Sequence, residues 1–459
     1  VSGFGRSLTL GTCAALLAAA PFPVAAADQP DPGCGDTGRT VRYLVVFDRG
    51  TPETQADRQV GAACGQSAIY YPQISVGVVT STDPGFAAKF GPDRAFSAQE
   101  VRRPVTQRRA EVSSATVPGV DRTDEQWDMA AVDAIGGTGS PDVVVGVLDS
   151  GVDPAHPDLA QAIDRNDSAG CLSGVPDRAA NAWQPTTSAH GTHVAGLIAA
   201  ADDGKGITGV APRVRVASVK VIDDDGYVDP EAAVCGLMWA AGRHLPVVNT
   251  SFSVDPWGVS CARREGYPVV HEAIARAEEY ATAQGTLDIA AATNESVNLT
   301  PSPRSGVSPT PSSCEELPAG LRDAVTVSAV GRDGVKAGYS SYGLGVVDLA
   351  APGGARGDCV LSTVPGGYAS MCGTSMAAPH AAGVAALVAS AHQGLSARQL
   401  RAALFQGARP MPCPTDYDLT GDGHQDAFCT GYTGYNGFYG HGMVDAAGAL
   451  DAVSAAAGG

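Results

Sequence analysis

Residues 142–150 read DVVVGVLDS. This run of mostly valine is unbroken between two aspartates and does not alternate as a half-exposed strand would. It is the pattern of a strand buried on both faces, which belongs in a parallel sheet covered by helices. Runs of the same kind recur at 213–222 (RVRVASVKVI), 245–252 (LPVVNTSF), 286–293 (TLDIAAAT) and 324–330 (AVTVSAV). Helical patterns fall between them at 191–200, 230–242 and 271–285. Strands alternating with helices predict an α/β fold with a mainly parallel sheet, whose ligands gather at the carboxyl ends of the strands. Asp149 closes the first strand and so points at that crevice.

Two later segments supply partners for it. His190 opens HGTHVAGLIAA at the start of a predicted helix, and Ser375 lies in 373–380, GTSMAAPH, just before another. A helix N-terminus favours developing negative charge, through unpaired N–H groups and the helix dipole. A serine there is a candidate nucleophile if a base and an orienting acid accompany it. The chain order is Asp, His, Ser, one of three known orders for this constellation. His156, His193 and His380 read as packed histidines rather than bases.

The blocks VVGVLDSGVDPAHPDL, HGTHVAGLIAA, GVAPRVRVASVKVIDDDG, VVNTSF, IAAATNES, YSSYGLGVVDLAAPGG and STVPGGYASMCGTSMAAPHAAGVAALV, with the closing GHGMVDAAGALDAV, resemble the subtilisin-like serine peptidases, the subtilases. The resemblance covers roughly 126–459 and implies a three-layer subtilisin-like fold. It makes Ser375 the nucleophile, His190 the general base, Asp149 the group that orients the imidazole, and Asn294 an oxyanion donor. The family usually has glycine before that asparagine, where this chain has Thr293. Substrate is expected to lie as an extended strand between a segment with Gly226 and Tyr227 and a segment Ser251, Phe252 and Ser253. Asp223, Asp224, Asp225 and Asp229 crowd the first segment, which suggests a modest preference for Arg or Lys upstream of the cleaved bond. No cofactor is implied for catalysis.

Ahead of this lies a short α+β pattern: a strand at 41–47, a helix at 52–64, a strand or strand pair at 68–80, a short helix at 83–91 and a last strand at 95–105. It resembles the family's inhibitory propeptide. The expected organisation is a signal peptide at 1–27, a propeptide domain at 28–108, a linker with the maturation site at 109–125, and the peptidase domain at 126–459. Arg6, the apolar stretch 8–20 and Ala25-Ala26-Ala27 carry the export reading. Apart from Cys13, ten cysteines remain, and an even count in an exported chain suggests disulfides. The expected pairs are Cys34–Cys64, Cys171–Cys235, Cys261–Cys314, Cys359–Cys372 and Cys413–Cys429. Between the last two, Asp418, Thr420, Asp422 and Asp426 match the front of a calcium loop, with Cys429 where a glutamate would close it.

The balance of 30 basic and 48 acidic residues, a net charge of −18, argues against a nucleic-acid partner. No apolar run beyond the N-terminal stretch reaches the length of a membrane span. The reading is a secreted, monomeric endopeptidase that acts on proteins or peptides and is inhibited by its own propeptide. The alternatives are a catalytically silent binding protein on the same scaffold, or a processing peptidase or ligase dedicated to one partner.

Overall fold

The computed structural model describes residues 33–102, 119–134, 136–256, 265–300, 315–355 and 357–458. The expected signal peptide, residues 109–118 of the linker expected to carry the maturation site, and the Cys261–Cys314 pair lie outside these residues. The chain divides into two units, 1–34 and 35–459, and the elements below belong to the second.

The first part of that unit is a small sheet with short helices. It comprises β1 (Val41–Val46), α1 (Glu53–Ala62), β2 (Gln66–Tyr71), β3 (Val76–Ser81), α2 (Phe86–Phe90), β4 (Ala95–Phe96) and α3 (Ala98–Val101). Its strands run in the order β2-β3-β1-β4, all antiparallel. The predicted strand 95–105 is only two residues long. Ser97 stays extended and the helix-forming Ala98–Val101 then coil into one turn; residues 103–105 are outside the described set.

The remainder contains α4 (Trp127–Ala131), β5 (Val144–Asp149), β6 (Ala169–Gly170), α5 (His190–Ala199), β7 (Arg215–Lys220), α6 (Pro230–Gly242), β8 (Val247–Thr250), α7 (Tyr267–Ala283), β9 (Leu287–Ala291), β10 (Val325–Val330) and β11 (Leu349–Pro352). After these come the hairpin β12 (Val360–Val364) and β13 (Gly367–Met371), α8 (Thr374–Ala391), α9 (Ala397–Gly407), the short pair β14 (Gly431–Tyr432) and β15 (Tyr435–Asn436), and α10 (Ala446–Gly458). Seven strands form one sheet, β11-β10-β9-β8-β5-β7-β6, with every pairing parallel. Every residue of β5 is buried, as the apolar run at 144–149 predicts. Val145 and Val147 pack with α5, α8, α9 and α10 on one face, and Val144 and Leu148 with α6 and α7 on the other. This is the three-layer arrangement.

The small sheet joins the second of these cores. Leu44, Val46, Tyr71, Ile74, Val76 and Phe96 pack with residues of α6 and α7. From α7, the buried Arg276 guanidinium donates to the carbonyls of Phe47 (2.9 Å) and Ile74 (3.0 Å). Arg42 on β1 pairs with Asp229 (2.9 Å) and Glu231 (2.5 Å) at the start of α6.

Three expected disulfides are present, Cys171–Cys235, Cys359–Cys372 and Cys413–Cys429. Cys34 and Cys64 are each disulfide-bonded.

The strand order sets where a site can form. From β5 the chain goes to β7 on one side, then returns to β8 on the other and continues outward. The reversal lies between β5 and β8, and their carboxyl ends border the crevice there. Helix α5 reaches the same edge, held against β12 by Ser362 Oγ donating to His193 O (2.6 Å) and Thr363 Oγ1 to Thr192 O (2.8 Å). Gly196 permits that approach, because a Cβ there would stand 2.3 Å from Thr363 Oγ1 and 2.4 Å from Ser362 Oγ. Gly196→Ala should therefore destabilise the protein by about 1–3 kcal/mol through overpacking, measured as a lower denaturant midpoint with an unchanged slope.

Candidate active site

Asp149 is the last residue of β5 and has no exposed surface. A buried carboxylate needs partners, and this one has two. Oδ1 accepts from the Ser150 N–H (2.6 Å), and both oxygens face His190 Nδ1, at 2.8 and 2.9 Å. His190 is the first residue of α5, and its side chain is 25% exposed. The helix starts this close to β5 because the next residue is Gly191, where a Cβ would fall 2.5 Å from Gly151 O. The N–H on Nδ1 donates to Asp149, which leaves Nε2 as the basic nitrogen at the open side. Burial lowers the His190 pKa, but the Asp149 charge and hydrogen bond outweigh it, and the net shift is upward.

Ser375 is the second residue of α8. Its hydroxyl donates to Ser251 O (3.3 Å), and Ser251 Oγ donates back to Ser375 O (3.1 Å). The second bond has a covalent cause. In a regular helix Ser375 O would accept from the N–H of residue 379, which is Pro379 and has none. Ser251 takes that place, and Asn249 Nδ2 in turn donates to Ser251 Oγ (2.8 Å). Neither Asn249 nor Pro379 figures in the sequence-based expectation. The signal for Asn249 was a lone amide inside the apolar run VVNT, and for Pro379 a proline within a helical pattern. Among the described residues Ser375 Oγ makes no hydrogen bond to His190; a rotation about χ1 would turn it from Ser251 O.

Asn294 follows β9. Its Oδ1 accepts from both the N–H and the hydroxyl of Thr374, each at 2.9 Å. Since a backbone N–H can only donate, the amide orientation is fixed and Nδ2 faces away, on the side of Gly373 and the Ser375 N–H. Thr293 takes a left-handed conformation that favours glycine, with φ +73°, and is held by Ser341, Oγ1 to Oγ at 2.8 Å. A β-branched residue there costs about 1–2 kcal/mol.

The two expected substrate segments follow β7 and β8. Asp223 Oδ1 accepts from the N–H groups of Asp225 and Tyr227, shaping a turn in which Gly226 has φ +86°. Val228 and Asp255 then tie the segments together through Val228 N to Asp255 Oδ2 (2.8 Å) and Asp255 N to Val228 O (3.0 Å). Phe252 is mostly buried, and Ser253 lies beside the buried Glu316.

His156, His193 and His380 are all buried and hydrogen-bonded. His156 Nε2 donates to Gly367 O, and His193 Nε2 to Val360 O and Ala369 O. Burial pushes His193 down to about 3, so it stays neutral. His380 bridges Met376 O and Asp128 in a fully buried position.

The calcium expectation fares differently. Asp418 takes the N–H groups of Gly421, Asp422 and Gly423, Asp426 takes that of Thr420, and Asp422 takes that of His424. Asp418, Asp422 and Asp426 do not bring three ligand oxygens within 4.8 Å of one another. As folded, Asp418, Thr420, Asp422 and Asp426 form a turn held by its own amides.

The parallel sheet, with a carboxylate–imidazole pair at its reversal and a serine opening the adjacent helix, defines a class of α/β protein whose chemistry sits at that edge. Comparison with known proteins gives the family. Residues 140–442 match the subtilase family, and the chain belongs to it. It is 35% identical over 272 residues to Subtilisin NAT of Bacillus subtilis subsp. natto, covering 59% of this chain and 61% of that one. It is 34% identical over 283 residues to Thermitase of Thermoactinomyces vulgaris, covering 61% of this chain and 83% of that one. A solved lanthipeptide protease superposes with a TM-score of 0.57 at 26% identity, over 74% of this chain and 100% of the other. The chain thus spans about three fifths of the length of the subtilisin relative.

The Asp149 contact has a direct readout. In a Ser375→Ala background, the His190 imidazole should titrate by NMR above the ordinary 6.5. In Asp149→Asn the midpoint should drop below 6.5, because the burial that remains acts only downward.

Proposed function

We propose that the chain is a secreted serine endopeptidase made as a self-inhibited precursor. The observation that carries this is the buried Asp149 carboxylate on His190 Nδ1 beside a serine at a helix start. Ser375 Oγ attacks the peptide carbonyl carbon while its proton passes to His190 Nε2. Asp149 holds the resulting imidazolium in place. The carbonyl oxygen, now negative, accepts from Asn294 Nδ2 and the Ser375 N–H, which stand ready without reorganisation. His190 then gives its proton to the leaving amine, the C–N bond breaks, and an ester to Ser375 remains. Water repeats the sequence with His190 as base, releasing the acid and restoring the hydroxyl.

In this reading the N-terminal unit, 28–108, is the inhibitory propeptide. Its docked sheet and the Arg42 and Arg276 contacts support that role. The linker 109–125 would carry the maturation site and 126–459 the mature enzyme. The disulfides suit an oxidising compartment, in keeping with export behind a signal at 1–27. The intact set Asp149, His190, Asn294 and Ser375 favours an active enzyme over a silent scaffold protein.

Wild-type protein should shed its N-terminal unit, digest casein and react with a fluorophosphonate probe, whereas Ser375→Ala should remain the full precursor and stay unlabelled. Equal processing in both would overturn the mechanism. Asn294→Ala should keep the probe site but lose about 10²–10³ in kcat.

A further inference from the structure

One buried carboxylate near the Ser251 and Asn294 segments is not used by the proposed mechanism. Glu316 is 1% exposed, and neither of its carboxylate oxygens has a hydrogen-bond partner among the described residues. The Ser253 hydroxyl lies next to it without forming a well-aligned bond, and the charged groups that face it, Glu295 and Asp255, are both acidic. Buried charges in folded proteins are normally paired. No cation of the described chain pairs with this one.

Its position is set by its neighbours. Val254 N donates to Leu317 O (3.1 Å), which joins the Glu316 segment to the strand of chain running on from Ser251. Glu295 directly follows Asn294. Glu316 therefore lies between the two segments that flank the reacting serine. A peptide whose carbonyl oxygen rests on Asn294 Nδ2 and the Ser375 N–H sets down between those segments the side chain of the residue that owns the carbonyl. That is the residue preceding the cleaved bond.

A second acidic cluster already holds a cation. Arg102, just past α3, has Nη2 at 2.6 Å from Asp223 Oδ2 and 3.0 Å from Asp229 Oδ1. Its guanidinium lies 4.2 Å from the Tyr227 ring centroid. Asp255, tied to Val228, stands between the two places. Burial lifts its carboxyl to about 6, with Asp229 and Asp223 adding to the lift and Arg102 opposing it. If the N-terminal unit leaves, Arg42 and Arg102 leave with it, and Asp223, Asp229, Glu231 and Asp255 lose both their cations.

We propose that the substrate cleft selects cationic peptides: Glu316 floors the pocket for a lysine or arginine directly preceding the cleaved bond, and Asp223, Asp229 and the Tyr227 ring form a second cation subsite farther upstream. The proposal rests on the endopeptidase reading and specifies its substrate class. Burial pushes the Glu316 carboxyl up to about 8. On this proposal, attraction for a cationic side chain should strengthen as pH rises from 7 to 9.

The test is a peptide library varied at both positions, cleaved by processed wild type, Glu316→Gln and Asp223→Asn. Wild type should prefer Lys or Arg over Leu before the cleaved bond by about 100-fold, with the ratio growing between pH 7 and 9. Glu316→Gln should collapse the ratio and raise kcat/KM for the leucine peptides, a swap that mere destabilisation would not produce. Asp223→Asn should reduce basic enrichment at the upstream position only. Cleavage without basic preference in wild type, or an unchanged ratio in Glu316→Gln, overturns the assignment while leaving proteolysis intact. Absence of cleavage of every peptide, together with no fluorophosphonate labelling of wild type, removes both.

Discussion

The structure is organised around one buried charge. Asp149 ends an interior strand of an all-parallel sheet with no solvent contact, so its carboxylate has to be given polar partners. Bringing them constrains a large part of the chain. Helix α5 must begin within hydrogen-bonding distance of the strand end, which requires glycine at position 191. The same helix must lie flush on β12, which requires glycine at position 196 and hydroxyls from Ser362 and Thr363 on its carbonyls. The hairpin that supplies those hydroxyls leads directly into α8, and so into Ser375.

The serine is held by a comparable chain of necessity. Pro379 removes one N–H from the first turns of α8, and the carbonyl thereby freed is that of Ser375. Ser251, at the end of β8, fills the gap, positioned by Asn249 from within the strand. One strand end and one helix start are thus joined through the carbonyl that the proline leaves free. On the far side, Thr374 fixes the face of Asn294 that accepts and so determines the face that can donate. The strained Thr293 belongs to this arrangement, because the turn after β9 must deliver Asn294 whichever residue precedes it.

Much of this was legible in the sequence. The apolar run at 144–149, buried on both faces, betrays the parallel sheet, and the residues that close strands or open helices betray Asp149, His190 and Ser375. What could not be read depends on contacts remote in the chain. The short run AFSAQEV looks extended, yet only Ala95 and Phe96 find a partner in β1, and the rest follows its own helical preference. The Asp418 loop has the spacing of a cation site, but spacing does not reveal that backbone amides claim its carboxylates. Glu316 carries no motif at all; its isolation follows from residues brought in from β8 and β9.

The N-terminal sheet completes the charge balance of the cleft. Its apolar face is buried on α6 and α7 while Arg42 and Arg102 neutralise carboxylates beside the substrate segments. The two contributions differ in kind. Apolar burial does not depend on charge, whereas the Arg102 contacts do. Asp229 takes part in both arginine contacts, since it pairs with Arg42 on β1 as well as with Arg102.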